Sequence, residues 1–141
     1  MDDCARGAGI VAKQIRADLS DEQKRVLFQK GTEAPGSGKY LAETRNGMYC
    51  CANCGAALFA SSAKYESSTP GLVGWPSFAE AAANDALTLR PDDSLGIHRT
   101  EVVCAACGGH LGHLFTDVDD HPSGKHYCIN SCALEFTQEK T

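Results

Sequence analysis

Apolar and polar positions alternate most clearly late in the chain, in His126-Tyr127-Cys128-Ile129-Asn130-Ser131. A period of two belongs to a β-strand, whose successive side chains point to opposite faces. On that reading Tyr127 and Ile129 face a core, while His126, Cys128 and Asn130 share the other face. A turn signal, His121-Pro122-Ser123-Gly124, precedes the run, and an apolar stretch, Ala133-Leu134-Glu135-Phe136, follows it. Leu87-Thr88-Leu89 and Ile97 to Val103 read as further strands, and Tyr40-Leu41 as the start of an extended segment. Helical signals are fewer. Ser20-Asp21-Glu22-Gln23 is a capping box that opens a helix through Val26, Leu27 and Phe28, with its stop at Gly31. Ser77-Phe78-Ala79-Glu80 is a second capping box and predicts a short helix ending near Asn84. Thr32 to Gly38 is a breaker-rich loop. The pattern is mainly β with short helices, residues 1–17 forming a loosely held tail and residues 18–141 a single domain.

Composition narrows the function. A chain of 141 residues supports one real core. Its net charge of −5 disfavours nucleic acid as a partner, because phosphate binding needs a basic face. No run is long and apolar enough to span a bilayer, and Met1-Asp2-Asp3-Cys4 lacks an apolar signal core, which predicts a cytoplasmic protein. Eight cysteines in a reducing compartment point to metal or redox chemistry rather than to a disulfide scaffold.

Four of those cysteines form an internal echo. Cys51-Ala52-Asn53-Cys54-Gly55 and Cys104-Ala105-Ala106-Cys107-Gly108 share the Cys-x-x-Cys-Gly pattern of a zinc knuckle. The two-residue gap lets both sulfurs reach one ion, and the glycine permits a left-handed turn. Two such pairs supply a closed four-sulfur site, which is structural because no position stays open for water. Two independent redox dithiols are the weaker reading. Beyond the second pair lies His110-Leu111-Gly112-His113, whose imidazoles suit proton transfer, or its orientation, better than a metal already holding four thiolates. Cys128, between an imidazole and an amide on one strand face, is a candidate reactive thiol.

These motifs together resemble a known family. Gly31-Thr32-Glu33, the two knuckles, Gly74-Trp75-Pro76-Ser77-Phe78, Arg99 to Cys104, His110 to His113 and Tyr127 to Ser131 follow, in order, the pattern of the B-type methionine sulfoxide reductases. The resemblance runs from about Leu19 to Phe136. It implies the zinc-containing form and a fold of two antiparallel sheets with short N-terminal helices. It also implies reduction of the R epimer of methionine sulfoxide, free or in oxidised proteins and peptides, with thioredoxin as reductant. By position, Cys128 matches the catalytic cysteine and Trp75 the residue that holds the substrate methyl group. His110, His113 and Asn130 match the polar catalytic set, and Asp117 a neighbouring substrate position. The chain departs from the pattern twice. His126, taken as a substrate-side residue, stands where Arg is usual, and no cysteine precedes Gly74-Trp75-Pro76, where a resolving cysteine is common.

Recycling of Cys128 must then run by another route. Along a continuous strand Cys132 would lie about 13 Å away, beyond the roughly 7 Å that a disulfide spans. That ranks Cys132 low, and Cys50 is held beside a zinc ligand. Cys4 on the tail and direct attack by thioredoxin remain as equal alternatives. Two rival classes are a zinc-ribbon binding module, which has no use for Trp75, His113 and Cys128 together, and a general thiol oxidoreductase, which needs a free Cys-x-x-Cys.

Overall fold

The computed structural model describes residues 19–67, 72–83, 85–93, 96–97, 99–116, 122 and 124–138. Cys4, Asp117 and the expected tail of residues 1–17 lie outside the described residues. The described chain carries one α-helix, α1 (Asp21–Gln29), and nine strands: β1 (Gly47–Cys51), β2 (Ala57–Ala60), β3 (Lys64–Tyr65), β4 (Ser77–Phe78), β5 (Leu87–Asp92), β6 (Arg99–Cys104), β7 (His110–Phe115), β8 (His126–Ile129) and β9 (Leu134–Gln138). They form two sheets, in the orders β2-β1-β9 and β3-β4-β8-β7-β6-β5. All the pairings are antiparallel.

Helix α1 forms where its capping box stands. Ser20 accepts from the Gln23 backbone and Gln23 reaches back to the Ser20 N–H, at 3.1 and 2.8 Å. The left-handed residue that ends the helix is Lys30, at φ 56°, one position before the expected Gly31. Val26 and Leu27 are buried and pack towards β7. Between the sheets lies an aromatic core. Phe59 stacks on Phe78 with ring centroids 4.4 Å apart, and Tyr49 meets Phe78 at 5.1 Å and Phe136 at 4.8 Å. Ring pairs at these separations add to simple area burial.

Three expectations fail here, each to tertiary contact. The second capping box does not open a helix: Ser77–Phe78 is β4, paired to Cys128 and Tyr127. Beyond it, Ala79 N–H and Ala82 N–H donate to Ala63 and Leu58 rather than to helical neighbours. Burying Phe78 completely against Phe59 outweighs a local preference worth only tenths of a kcal/mol per residue. Tyr40-Leu41 lies in a turn closed by Leu41 N–H to Gly38 O at 3.3 Å, because the Tyr40 ring is used as a wedge against Tyr49 and Phe136. The strand of Cys128 does not continue to Cys132: after Ile129 the chain bends into a 3-10 turn, Ser131–Ala133.

The second sheet has a tight seam. Gly112 of β7 pairs with Ile129 of β8, and a Cβ on Gly112 would strike the Cys128 carbonyl. Only glycine lets the strands approach so closely. Gly112→Ala should therefore lower unfolding stability by about 1–3 kcal/mol, read as a drop in the urea midpoint at unchanged m-value.

Candidate active site and metal centre

Cross-strand register assembles the site. Cys128 of β8 is flanked by His113 of β7 on one side and Ser77 of β4 on the other. Glu101 of β6 lies opposite His113, which puts all four side chains in one row on the same face. A second row runs Asp92, Arg99, Phe115, His126. The opposite face carries Val102, Tyr127, Ile129 and Phe78 into the core, as the alternation of β8 predicts.

A cavity of about 130 Å³ opens over Cys128. Trp75, Phe115 and Leu72 give it apolar walls, while His113, Asn130, Arg99 and Thr32 supply polar groups. Glu33 fixes several of these. Its N–H donates to Asn130 Oδ1 at 2.9 Å, and its carbonyl accepts from Trp75 Nε1 at 3.0 Å. Its carboxylate, 2% exposed, accepts from the N–H groups of Ser131 and Cys132 at 2.9 and 3.0 Å. Asn130 is held from the other side, its Nδ2 donating to Leu111 O at 3.0 Å.

His113 Nε2–H donates to Asp92 Oδ2 at 2.7 Å, which leaves Nδ1 as the ring nitrogen not engaged by that carboxylate. His110 stands behind it, ring centroids 5.5 Å apart, and does not line the cavity. It is 3% exposed and donates from Nδ1 to Glu101 Oε2 at 2.7 Å. Burial lowers its pKa against the opposing pull of Glu101, so its neutral form is favoured. His126 shares the face of Cys128 but is fully buried, in a 2.8 Å hydrogen bond with Ser77 Oγ, and does not line the cavity. Burial, aided by the negative charge of Glu33, pushes the Cys128 thiol up to about 12. In the resting site this sulfur is a thiol.

Several site residues escape a sequence reading. Arg99 falls on the same strand face as Glu101, a placement that alternation in Ile97 to Val103 would have allowed. Asp92 sits at the end of a strand that contains a proline. Glu33 acts across a separation of 97 residues to Asn130, which no local pattern reports.

The other cysteines lie elsewhere. Cys132 opens into a different cavity with Glu33, Gly38 and Lys39. Cys50 is buried and disulfide-bonded. Cys51, Cys54, Cys104 and Cys107 come together, fully buried, with all sulfurs within 4.8 Å of one another. The contacts Cys51–Cys107 and Cys54–Cys104 measure 3.7 and 3.6 Å. A tetrahedron with Zn–S bonds of about 2.3 Å has edges of about 3.8 Å, so the cluster fits such an ion. The two knuckles turn alike: Gly55 and Gly108 have φ 80° and 79°, and their N–H groups donate to Cys51 O and Cys104 O at 2.8 and 2.7 Å. Hydrogen bonds among the sulfurs push the Cys51 and Cys104 thiols up and hold Cys54 and Cys107 down. Without a cation the four cannot all be thiolates. Cys51 closes β1 and Cys104 closes β6, so the cluster joins the two sheets.

Residues 19–138 match the SelR domain. Similar proteins include the peptide methionine sulfoxide reductase MsrB of Leifsonia xyli subsp. xyli, 47% identical over 140 residues that cover 97% of this chain and 98% of the relative. The MsrB of Thiobacillus denitrificans is 50% identical over 123 residues, 87% of this chain and 89% of its own. That of Methanosarcina mazei is 48% identical over 122 residues, 86% and 84% of the two chains. No helix among the described residues is long and apolar enough to cross a membrane. A match over most of the chain, and relatives near half identity across most of their own length, place this protein in the SelR-domain family of B-type methionine sulfoxide reductases, a family of oxidoreductases.

Proposed function

We propose that this enzyme reduces the R epimer of methionine sulfoxide, free or in oxidised proteins and peptides, through a sulfenic acid on Cys128. The observation that carries the reading is the seat of Cys128, a thiol that lines a small cavity together with apolar side chains and fixed polar groups. A sulfoxide has those two halves. Its methyl group lies against Trp75 and Phe115, and its polar S–O bond turns towards His113, Asn130 and Arg99. His113, the cross-strand neighbour of Cys128, takes the thiol proton as the sulfur attacks. The proton passes to the sulfinyl oxygen, which ends on Cys128 as a sulfenic hydroxyl while the thioether leaves. Cys128 is oxidised by two electrons and the substrate sulfur reduced by two. His110 fixes the environment of His113 from behind, and His126 anchors Ser77 beneath the thiol; Asp117 belongs to the substrate side of the same reading.

The sulfenic acid is reduced by thioredoxin, an exchange that belongs to the cytoplasm. What supports direct reduction is that Cys132 opens into a separate cavity and Cys50 is already bonded. The four-cysteine cluster holds a structural zinc, which when bound neutralises the thiolates and cross-links the sheets.

Turnover of the separate R and S epimers of N-acetylmethionine sulfoxide, with thioredoxin, thioredoxin reductase and NADPH, tests the reading. The wild type should consume only the R epimer and Cys128→Ser neither; equal use of both epimers, or activity in Cys128→Ser, would defeat it. After one turnover without reductant, intact-mass analysis should show a dimedone-trappable sulfenic acid on Cys128. A disulfide to Cys4 would instead assign an internal resolver.

Trp75→Phe should lower kcat/KM about tenfold, the cost of a poorly filled methyl pocket, with the fold intact by circular dichroism and only a small drop in melting temperature from the lost hydrogen bond to Glu33 O. Cys51→Ser and Cys107→Ser should each lose zinc and melting temperature together, as measured by atomic emission and calorimetry, with Cys51→Ser costing about 3 kcal/mol or more of stability.

A further inference from the structure

Among the described residues, Arg99 is the only side chain lining the Cys128 cavity with a permanent positive charge. It reaches that position from β6, paired across the sheet with Asp92 of β5. Its Nη2 donates to Asp92 Oδ2 at 3.3 Å, and the side chain is 21% exposed. The same oxygen accepts from His113 Nε2 at 2.7 Å. One carboxylate therefore sets the plane of the guanidinium and the ring of the proton carrier together.

The pairing leaves one donor over. Arg99 Nε is buried and has no acceptor. A buried N–H without a partner is unfavourable, and a guanidinium offers its donors in a rigid fork that cannot turn one nitrogen away without releasing another. The ion pair with Asp92 therefore leaves the guanidinium only partly satisfied. Among the described residues, the row of Cys128 carries Glu101, ion-paired with Lys30 at 3.4 Å and opposite Arg90, and the neighbouring row carries Asp92. Of the described side chains that line the cavity, Arg99 alone brings a permanent positive charge to a substrate.

We propose that Arg99 is a catalytic residue, its guanidinium donating to the sulfinyl oxygen as the attack of Cys128 drives negative charge onto it. The inference rests on the reductase reading above. Oxygen gains an electron pair as the S–O bond loses double-bond character, and the hydrogen bond strengthens at that moment and not before. A donor of this kind lowers the barrier without tightening substrate binding.

Arg99→Gln is the test, with N-acetylmethionine R-sulfoxide as substrate and dithiothreitol as reductant. Its kcat should fall by about a hundredfold, the usual loss of an oxyanion donor, while KM stays within about threefold. Alkylation of Cys128 by iodoacetamide, which has no sulfinyl oxygen, should keep its wild-type rate. If Arg99→Gln does not fold, judged by circular dichroism and zinc content, Arg99→Met keeps the aliphatic stem and takes the same assays. A folded variant with kcat within about threefold of wild type, or with alkylation falling in step with kcat, overturns the assignment to Arg99. A wild type that does not turn over this substrate overturns the reductase reading instead.

Discussion

The active site depends on one buried carboxylic acid residue. Glu33 touches Trp75 and Asn130 through its backbone and holds the turn after β8 through its side chain. A carboxylate accepting two backbone N–H groups is a strong, directional clamp. It is made by residues nearly a hundred positions apart in the chain, so the loop after α1 and the end of β8 become one rigid unit. One apolar and one polar lining residue, Trp75 and Asn130, are thus held by a single residue. A site built this way is preorganised before any substrate arrives.

The four-cysteine cluster works on a larger scale. It sits where β1 and β6 end, one strand from each sheet, and its knuckles share one turn geometry. The aromatic stack of Tyr49, Phe59, Phe78 and Phe136 fills the space between those sheets. Cys128 lies on the outer face of the strand whose Tyr127 and Ile129 enter that core. Packing on one face and the lining of the cavity on the other are two consequences of the same two-residue period.

That period is why much of the molecule was legible in the sequence. Alternation in β8 separated Tyr127 and Ile129 from Cys128 correctly, and the knuckle spacing brought four distant cysteines to one point. Helix α1 followed from Ser20 and Gln23. What the sequence did not reveal depends on contacts between distant segments. Ser77 and Phe78 carry a helical start but are drawn into β4 by pairing with Cys128 and Tyr127. The bend after Asn130 is held by Glu33, which local propensity cannot see. Asp92 acquires its role only once β5, β6 and β7 lie side by side. The positions of Cys4 and Asp117 fall outside the described residues.

Glu33 has one more effect. Its negative charge adds to the larger effect of burial in keeping the Cys128 sulfur protonated, its pKa raised to about 12. A protonated thiol reacts poorly with peroxide, because the nucleophile in that chemistry is the thiolate. A repair enzyme works where such oxidants are abundant, and an always-ionised cysteine would be consumed by them. On the proposed mechanism the proton is given up only beside a seated sulfoxide and the His113 imidazole. The geometry proposed to orient the substrate would then also shield the thiol from oxidants.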